Sequence, residues 1–472
     1  MGLETEYAFT PFGHNDRVLN RMHYSQRLVA LAARHYPSLF GRDKHDLFLG
    51  NGGRLYVDSG CGLLNTEYST PECTSPEELI AHIRAGDRLL ANLARELESE
   101  KRELKTAFIS KCNFDYSGHT SGSHENYLHT APQKQIAGQL IPHLVSRIVY
   151  TGGGGFDDNA PNVEFMLSPR VGYLEHDISR GAQDNRAIFT LKNDSLSDSR
   201  YGRLHLLCGE GVRYDLSEYL RFGVTSLVVR LIDAGMVFAE AIELDPLRAM
   251  NIVARDIDCS ATIGLIDDVE ATAIDVQRHY LRQVQAHVGG PYLPDWANTV
   301  CSRWEATLDR LEANPSHLVG KIDWVTKLAF YRSFVARKGF DWRRLTEETH
   351  DSQRQIRMEL FELDVCFGDI SEAGPFAILE NIDRTDKVLV TGTEVNDALR
   401  IPPQGTRAKI RGEWVERLSH RRRRKRCNWN RIRDYDARQT LYLDDPFGTS
   451  SAGWERSARC FESRDSIRVR SA

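Results

Sequence analysis

Five short stretches of this chain alternate residue by residue, and in each the polar side chains ionise or hydrogen-bond strongly. At the start, Leu3, Thr5 and Tyr7 take one parity, and Glu4 and Glu6 the other. After the turn signal Gly50-Asn51-Gly52-Gly53, Leu55 and Val57 alternate with Arg54, Tyr56 and Asp58. Glu67 opens a third stretch, Glu67–Thr70; His124 and Asn126 share a parity in a fourth, and Arg203 and His205 in a fifth. A period of two is that of a β-strand, whose successive side chains point to opposite faces. The pattern predicts a sheet with one apolar face and one face collecting carboxylates, imidazoles and guanidiniums. A solvated outer face with surface ion pairs explains any one stretch alone. All five together suit a metal and phosphate site. Carboxylates hold Mg²⁺, which keeps waters and bridges phosphates, and arginines neutralise a transferring phosphoryl group.

Helical patterns supply the layer behind such a sheet. Ser75 as N-cap, Pro76 at the first position and Glu78 as the capping-box acid predict a helix start. Leu79, Ile83, Leu90, Leu93 and Leu97 continue it at helical spacing. Further helices are predicted through Leu220, Val224, Leu227 and Leu231, stopping at Gly235, through Val276, Tyr280, Val284 and Val288, and over Trp324 to Phe334. The apolar run Leu144 to Tyr150 closes in Gly152-Gly153-Gly154-Gly155. This run lacks the Lys and Ser/Thr of a P-loop, and Asp157 breaks the dinucleotide fingerprint. It is read as a flexible turn after a strand. The class is α+β: strands with one polar face, long helices packed behind, and a small basic C-terminal unit.

The 472 residues carry 61 Lys+Arg against 66 Asp+Glu, a net charge of −5, and 41% are hydrophobic. That excludes collagen-like, disordered and membrane-embedded chains, and speaks against a dedicated nucleic-acid binder. Nine scattered cysteines with no C-x-x-C pair exclude a zinc ribbon or a disulfide framework. Glu4 and Glu6 stand where a signal peptide would need positive charge and then an apolar core, so a reducing cytoplasm is expected, without a membrane span. Pro402-Pro403-Gln404-Gly405 is the best linker, dividing the chain into 1–401 and 402–472. From Arg407 to Arg438 there are 13 Lys/Arg and 4 Asp/Glu. Arg421 to Arg426 is a continuous basic block, read as a solvated loop, as a strand-binding site with Trp429, or as an attractor of an acidic protein.

Seven strings resemble, in order, the Pup ligase and depupylase family: MGLETEY (1–7), NGGRLYVD (51–58), EYSTPEC (67–73), GSHENYL (122–128), RLHLLCG (203–209), IDWVTK (322–327) and PPQGTRAKIRGEW (402–414). The resemblance implies a glutamine-synthetase-like catalytic domain over 1–401 and a small basic C-terminal domain over 402–472. It implies a curved antiparallel sheet with packed helices, ATP and Mg²⁺ lying against that sheet, and a Pup-like small acidic modifier. Phosphorylation of the modifier's C-terminal glutamate is followed by attack of a substrate lysine, marking proteins for a proteasome. Position by position, Glu4 and Glu67 match metal-binding glutamates, His205 a third metal or phosphate ligand, and Asp58 the catalytic aspartate. Arg54, Tyr56, His124, Asn126, Arg203, Arg407, Arg411 and Trp429 are the candidates for holding ATP. The basic unit is expected to form an electropositive groove for the modifier, with nucleic acid as the lesser reading.

The two branches of the family stay open at this level. A depupylase would hydrolyse the same isopeptide bond or a C-terminal glutamine of the modifier, with Asp58 as nucleophile or activating water. Only 49 residues separate Glu4 from Arg54, too few for the depupylase's insertion, and Gln439 to Phe447 resembles the ligase. YVD, EYSTPEC and GSHENYL look more like the depupylase. Segments 59–66 and 192–198 depart from both branches, which keeps an inactive binding relative as a third reading.

Overall fold

The computed structural model describes residues 1–58, 65–100, 102–179, 186–191, 196–238, 245–265, 270–347, 353–382 and 389–449. Most of segments 59–66 and 192–198 and the last 23 residues, with Cys61 and Cys460, therefore lie outside the described residues. The centre is β1 (Gly2–Gly13), long enough at 12 residues to pair with three strands. β2 (Ser38–Phe40), β3 (Asp46–Leu49), β4 (Arg54–Asp58) and β5 (Asn65–Ser69) follow in sequence, then β6 (Leu104–Ser110) and β7 (Ser123–His129). After the small hairpin of β8 (Gly155–Phe156) and β9 (Phe165–Met166), the sheet is completed by β10 (His176–Ser179), β11 (Ala187–Thr190) and β12 (Gly202–Leu206). The spatial order is β10-β11-β12-β7-β1-β5-β4-β3-β2, with β6 also on β1. Among the described residues only β10 and β11 pair in parallel. A second hairpin, β13 (Thr262–Gly264) and β14 (Glu270–Thr272), stands apart.

The alternation in the sequence is the alternation of the sheet. Leu3, Thr5 and Tyr7 are buried, whereas Glu4 and Glu6 are half-buried on the other face. The helix Pro76–Glu100 covers the apolar side with Leu79, Ile83, Leu90, Leu93 and Leu97. It approaches so closely that a Cβ on Gly86 would stand 2.3 Å from the Tyr68 ring. Its cap differs from the expected box in one partner. Ser75 Oγ accepts from the Glu78 amide at 3.2 Å, but the Glu78 carboxylate reaches back to the Thr74 amide at 2.8 Å. The helices Asp215–Asp233 and Asp323–Arg337 cover the predicted spans, and Ala273–Gln285 covers Val276, Tyr280 and Val284 but ends before Val288. None of the described helices is long and apolar enough to cross a membrane. The seven described cysteines are free thiols.

One local reading is overturned. Leu144 to Tyr150 is not a strand: it closes the helix Gln133–Ser146 and forms the turn Ile148–Thr151. All of its residues are buried, and a run buried on every side carries no period. The glycines after it are packed rather than loose. A Cβ on Gly152 would lie 2.3 Å from the Leu167 carbonyl oxygen, and Gly154 has φ +67°.

Beyond Pro402 the chain forms the helix Ala408–Leu418, a 3-10 segment Ser419–Arg424, and a small sheet of β15 (Lys425–Asn428), β16 (Arg431–Asp434) and β17 (Gln439–Tyr442). The basic block is thus not one solvated loop. Arg422 donates to Ser38 Oγ at 3.2 Å and to the Ala33 carbonyl, and Lys425 is buried against Asp434 at 2.7 Å. Two devices fasten this unit to the large sheet. Leu39 and Phe48 share a core cluster with Ile410, Trp414, Val415, Cys427, Ile432 and Leu441. And Glu72, just past β5, receives two arginines: Arg407 Nε at 2.8 Å and both terminal nitrogens of the fully buried Arg411. Those arginines also hold backbone carbonyls, Arg411 those of Gly52 and Trp429, and Arg407 those of Leu196 and Leu443.

Burial works against ionisation of Glu72, but Arg411 and Arg407 outweigh it and bring its pKa from the usual 4.5 down to about 2. A carboxyl depressed on folding stabilises above its unfolded pKa, and that stability is lost as pH falls through the folded value. Glu72 should therefore cost the fold about 3 kcal/mol between about pH 4.5 and pH 2. Acid titration by circular dichroism should show this loss in the parent protein, and Glu72→Gln should lack that part of it. A chain ended at Ile401 would leave Leu39 and Phe48 uncovered. It is expected to lose its cooperative calorimetric transition rather than melt as an independent domain.

Candidate active site

Antiparallel pairing places directly opposed residues on one face, so the polar face can be read as rungs. Phe48, Arg54, Ser69, Glu4 and His124 form one rung across β3, β4, β5, β1 and β7. Asp46, Tyr56, Glu67 and Glu6 form the next. On the other side Gly2, Asn126 and His205 align. Asp58 sits at the end of β4, opposite Asn65.

Three donors converge. The ligand atoms of Glu4, His124 and His205 all lie within 4.8 Å of one another. Glu4 Oε2 stands 3.6 Å from His205 Nε2, and the two imidazole rings are 5.7 Å apart, edge to face. Asn126 Nδ2 donates to Glu4 Oε1 at 3.3 Å, and Arg203 to Asn126 Oδ1 at 3.1 Å and to Glu4 at 3.5 Å. His205 is only 8% exposed, yet neither ring nitrogen has a hydrogen-bond partner among the described residues. A buried imidazole whose nitrogens are not committed to hydrogen bonds fits a ligand's role, and carboxylate with imidazole is a donor set that suits a divalent cation. Burial, with His205 and Arg170 nearby, holds His124 below the usual imidazole pKa, so it is neutral and able to ligate.

The carboxylates respond in opposite directions. Burial disfavours the Glu4 anion, but His205, Arg203 and His124 outweigh it and hold the carboxyl well below its ordinary range. Glu67 is pushed well above its ordinary value, by burial first and then by Glu6, Glu4 and Asp58, against the hydroxyl it accepts from Tyr56. Carboxylates crowded this way ionise together only if a cation joins them. Arg54 is held by a two-pronged pair to Asp46, at 2.7 and 2.8 Å, with its guanidinium 3.9 Å from the Tyr56 ring centroid.

Two cavities meet at Glu4. A cleft of about 750 Å³ is lined by Arg54, Tyr56, Asp58, His205 and the basic small sheet. A narrower slot of about 130 Å³ is lined mainly by apolar groups, among them Leu3, Tyr127, Leu128 and Phe447. Glu4, Leu196, Arg203 and Trp429 line both.

The predicted set is thus largely brought together, with differences. His124, expected with the nucleotide, stands with Glu4 and His205 as a possible ligand; Glu67 lies one rung away, bonded to Tyr56. Arg407 lines the slot, but Arg411 has no exposed surface and is spent on Glu72, Gly52 and Trp429. Two further carboxylates, Glu6 and Glu72, serve the site without belonging to the expected set. Glu6 accepts from the Gly122 amide at 2.5 Å and faces His124 at 3.9 Å. It shares the parity of Glu4, the one signal available; Glu72 lies in no periodic segment.

Residues 1–433 match the family model described as Pup-ligase protein. The chain is 31% identical over 464 residues to the Pup–protein ligase of Acidimicrobium ferrooxidans, covering 96% of this chain and 97% of that one. It is 30% identical to that of Paenarthrobacter aurescens, covering 94% and 95%. A solved complex between prokaryotic ubiquitin-like protein Pup and its ligase PafA superposes with a TM-score of 0.82 at 24% identity, over 96% of this chain and 90% of that one. PafA in complex with ADP gives 0.76 at 23% identity, over 93% of each. The two structures establish the shared α+β fold, and with the family model and the relatives they lead to one conclusion: this chain belongs to the Pup-ligase family.

Proposed function

We propose that this protein is an ATP-dependent ligase that joins the C-terminal glutamate of a Pup-like protein to acceptor lysines. The observation that carries the reading is the single sheet face on which Glu4, His124 and His205 converge beside Arg54, Arg203 and Asp58, in a chain of this family. The relatives named above are ligases, and one neighbour was solved with ADP and one with Pup. The stretch from Glu4 to Arg54 supports the ligase branch. The remainder of β1, the helix Arg21–His35, β2 and β3 occupy most of it, leaving no long insertion.

In this reading Glu4, His205 and His124, with Glu67 one rung away, hold Mg²⁺, which when bound neutralises phosphate charge. The apolar slot beside Trp429 suits a purine base, and Arg54 and Arg203 suit its phosphates. The modifier's γ-carboxylate attacks the terminal phosphorus of ATP; ADP leaves and an acyl phosphate remains. A lysine amine then attacks the acyl carbon and phosphate departs. Asp58 takes the ammonium proton, which makes the nitrogen lone pair available.

Purified protein with ATP, Mg²⁺, Pup and a lysine-bearing acceptor should give ADP and a covalent adduct. Release of Pup from a preformed conjugate, with no adduct formed, would move the assignment to hydrolysis. Asp58→Asn should lower kcat by about 10²- to 10⁴-fold with nucleotide affinity kept. A parent protein as inactive as this variant would instead favour the binding relative. Glu4→Ala should weaken Mg·ATP binding at least about tenfold by calorimetry in a protein that still melts cooperatively; unchanged affinity would remove Glu4 from the site.

A further inference from the structure

The small C-terminal sheet has two unlike faces. Cys427, Ile432 and Leu441 point inward and are buried. Pairing puts Arg426 directly opposite Arg433, and Arg431 between Asn428 and Tyr442, on the other face. The outer face is therefore strongly basic, whereas the inner one is apolar apart from a single ion pair. On the inner face Lys425 pairs with Asp434 at 2.7 Å. On the outer face, among the described residues, no carboxylate pairs with Arg431 or Arg433, both exposed; the Arg433 guanidinium lies 4.7 Å from the Tyr435 ring centroid. Arg426, Arg431, Arg433 and Tyr435 line the same cleft as Asp58, with Arg42 also on its wall.

We infer that this face is the docking wall for the acceptor protein and that it selects lysines standing among carboxylates. The inference rests on the ligase reading above. A lysine that reaches Asp58 enters as a cation past a wall of arginines, and a bare ammonium is repelled there. Asp and Glu side chains around the lysine reverse the sign of the encounter, pairing with the arginines while the ammonium proceeds to the one carboxylate at the end of β4. Like-charge juxtaposition is the repulsive element that specificity requires. Tyr435 and Tyr442, 42% and 52% exposed, give the same face planar contact area. The modifier has a separate seat available. An apolar groove of about 550 Å³ with Phe12, Phe108, Tyr116, Met358 and Phe361 lies farther along β1.

The test compares two acceptor peptides, acetyl-Glu-Glu-Lys-Glu-Glu-amide and its Gln counterpart, with butylamine as an acceptor that carries no neighbours. At low salt the parent protein should prefer the Glu peptide by at least about tenfold in kcat/KM, falling below about threefold in 0.5 M salt. The double variant Arg431→Gln with Arg433→Gln should show the same collapse at low salt, with butylamine turnover and Pup affinity unchanged. A preference that survives both the substitutions and the salt overturns the inference. Equal loss on both peptides with weakened Pup binding would make the wall the modifier's. Unmoved peptide ratios with loss of binding to a single-stranded oligouridylate would make it a nucleic-acid surface. If the double variant fails to melt cooperatively, the salt dependence of the parent's own preference decides. No adduct with any of the three acceptors would overturn the ligase reading itself.

Discussion

The register of β1 between its neighbours is the constraint on which the site depends. Glu4 faces His124 on one side and Ser69 on the other, and Glu6 faces Glu67. A slip of one residue would turn both glutamates into the layer of Leu79, Leu90 and Leu93, and put Leu3, Thr5 and Tyr7 on the cleft. The cost of burying two unpaired carboxylates is what locks the register. The geometry of the candidate site and fold stability therefore select the same pairing, and the donors of Glu4, His124 and His205 meet as a consequence of it.

That constraint also explains what is legible in the sequence. Parity within each stretch tells which side chains share a face. The order of amino acids alone therefore gathers Glu4, Arg54, Tyr56, Asp58, Glu67, His124, Asn126, Arg203 and His205. Parity cannot say which rung meets which. His124 stands beside Glu4 and His205 because β7 pairs with β1 at Glu4↔His124, a long-range fact with no local trace. The run Leu144 to Tyr150 misleads for a related reason. Periodicity reports an interface between core and solvent, and a segment buried on all sides has none.

The arginines of the TRA-x-x-RGE string show a different limit. A motif reveals that a residue type is required, but it cannot separate touching a ligand from holding what touches it. Arg411 is fully buried, and its nitrogens are spent on Glu72 and on the carbonyls of Gly52 and Trp429. One carboxylate thereby ties the β3–β4 turn to the turn that carries Trp429, which lines both cavities. The small unit is basic partly because it must reach Glu72 with Arg407 and Arg411 and hold its own Asp434 with Lys425, and partly because it presents exposed arginines, Arg431 and Arg433, to the cleft.

That second share gives the cleft its polarity. Its floor gathers Glu4, Glu6, Glu67 and Asp58, and its wall gathers Arg42, Arg426, Arg431 and Arg433. A ligase of this kind must bring together an anionic carboxylate, an anionic nucleotide and a cationic amine. A uniformly positive cleft would concentrate the first two and exclude the third; a uniformly negative one would do the reverse. Separating the signs between the floor and the wall of one cleft lets each species find a favourable potential on its own path. Asp58, at the end of β4, lies where the basic wall of the cleft meets its acidic floor, which in the ligase reading is where the amine would give up its proton.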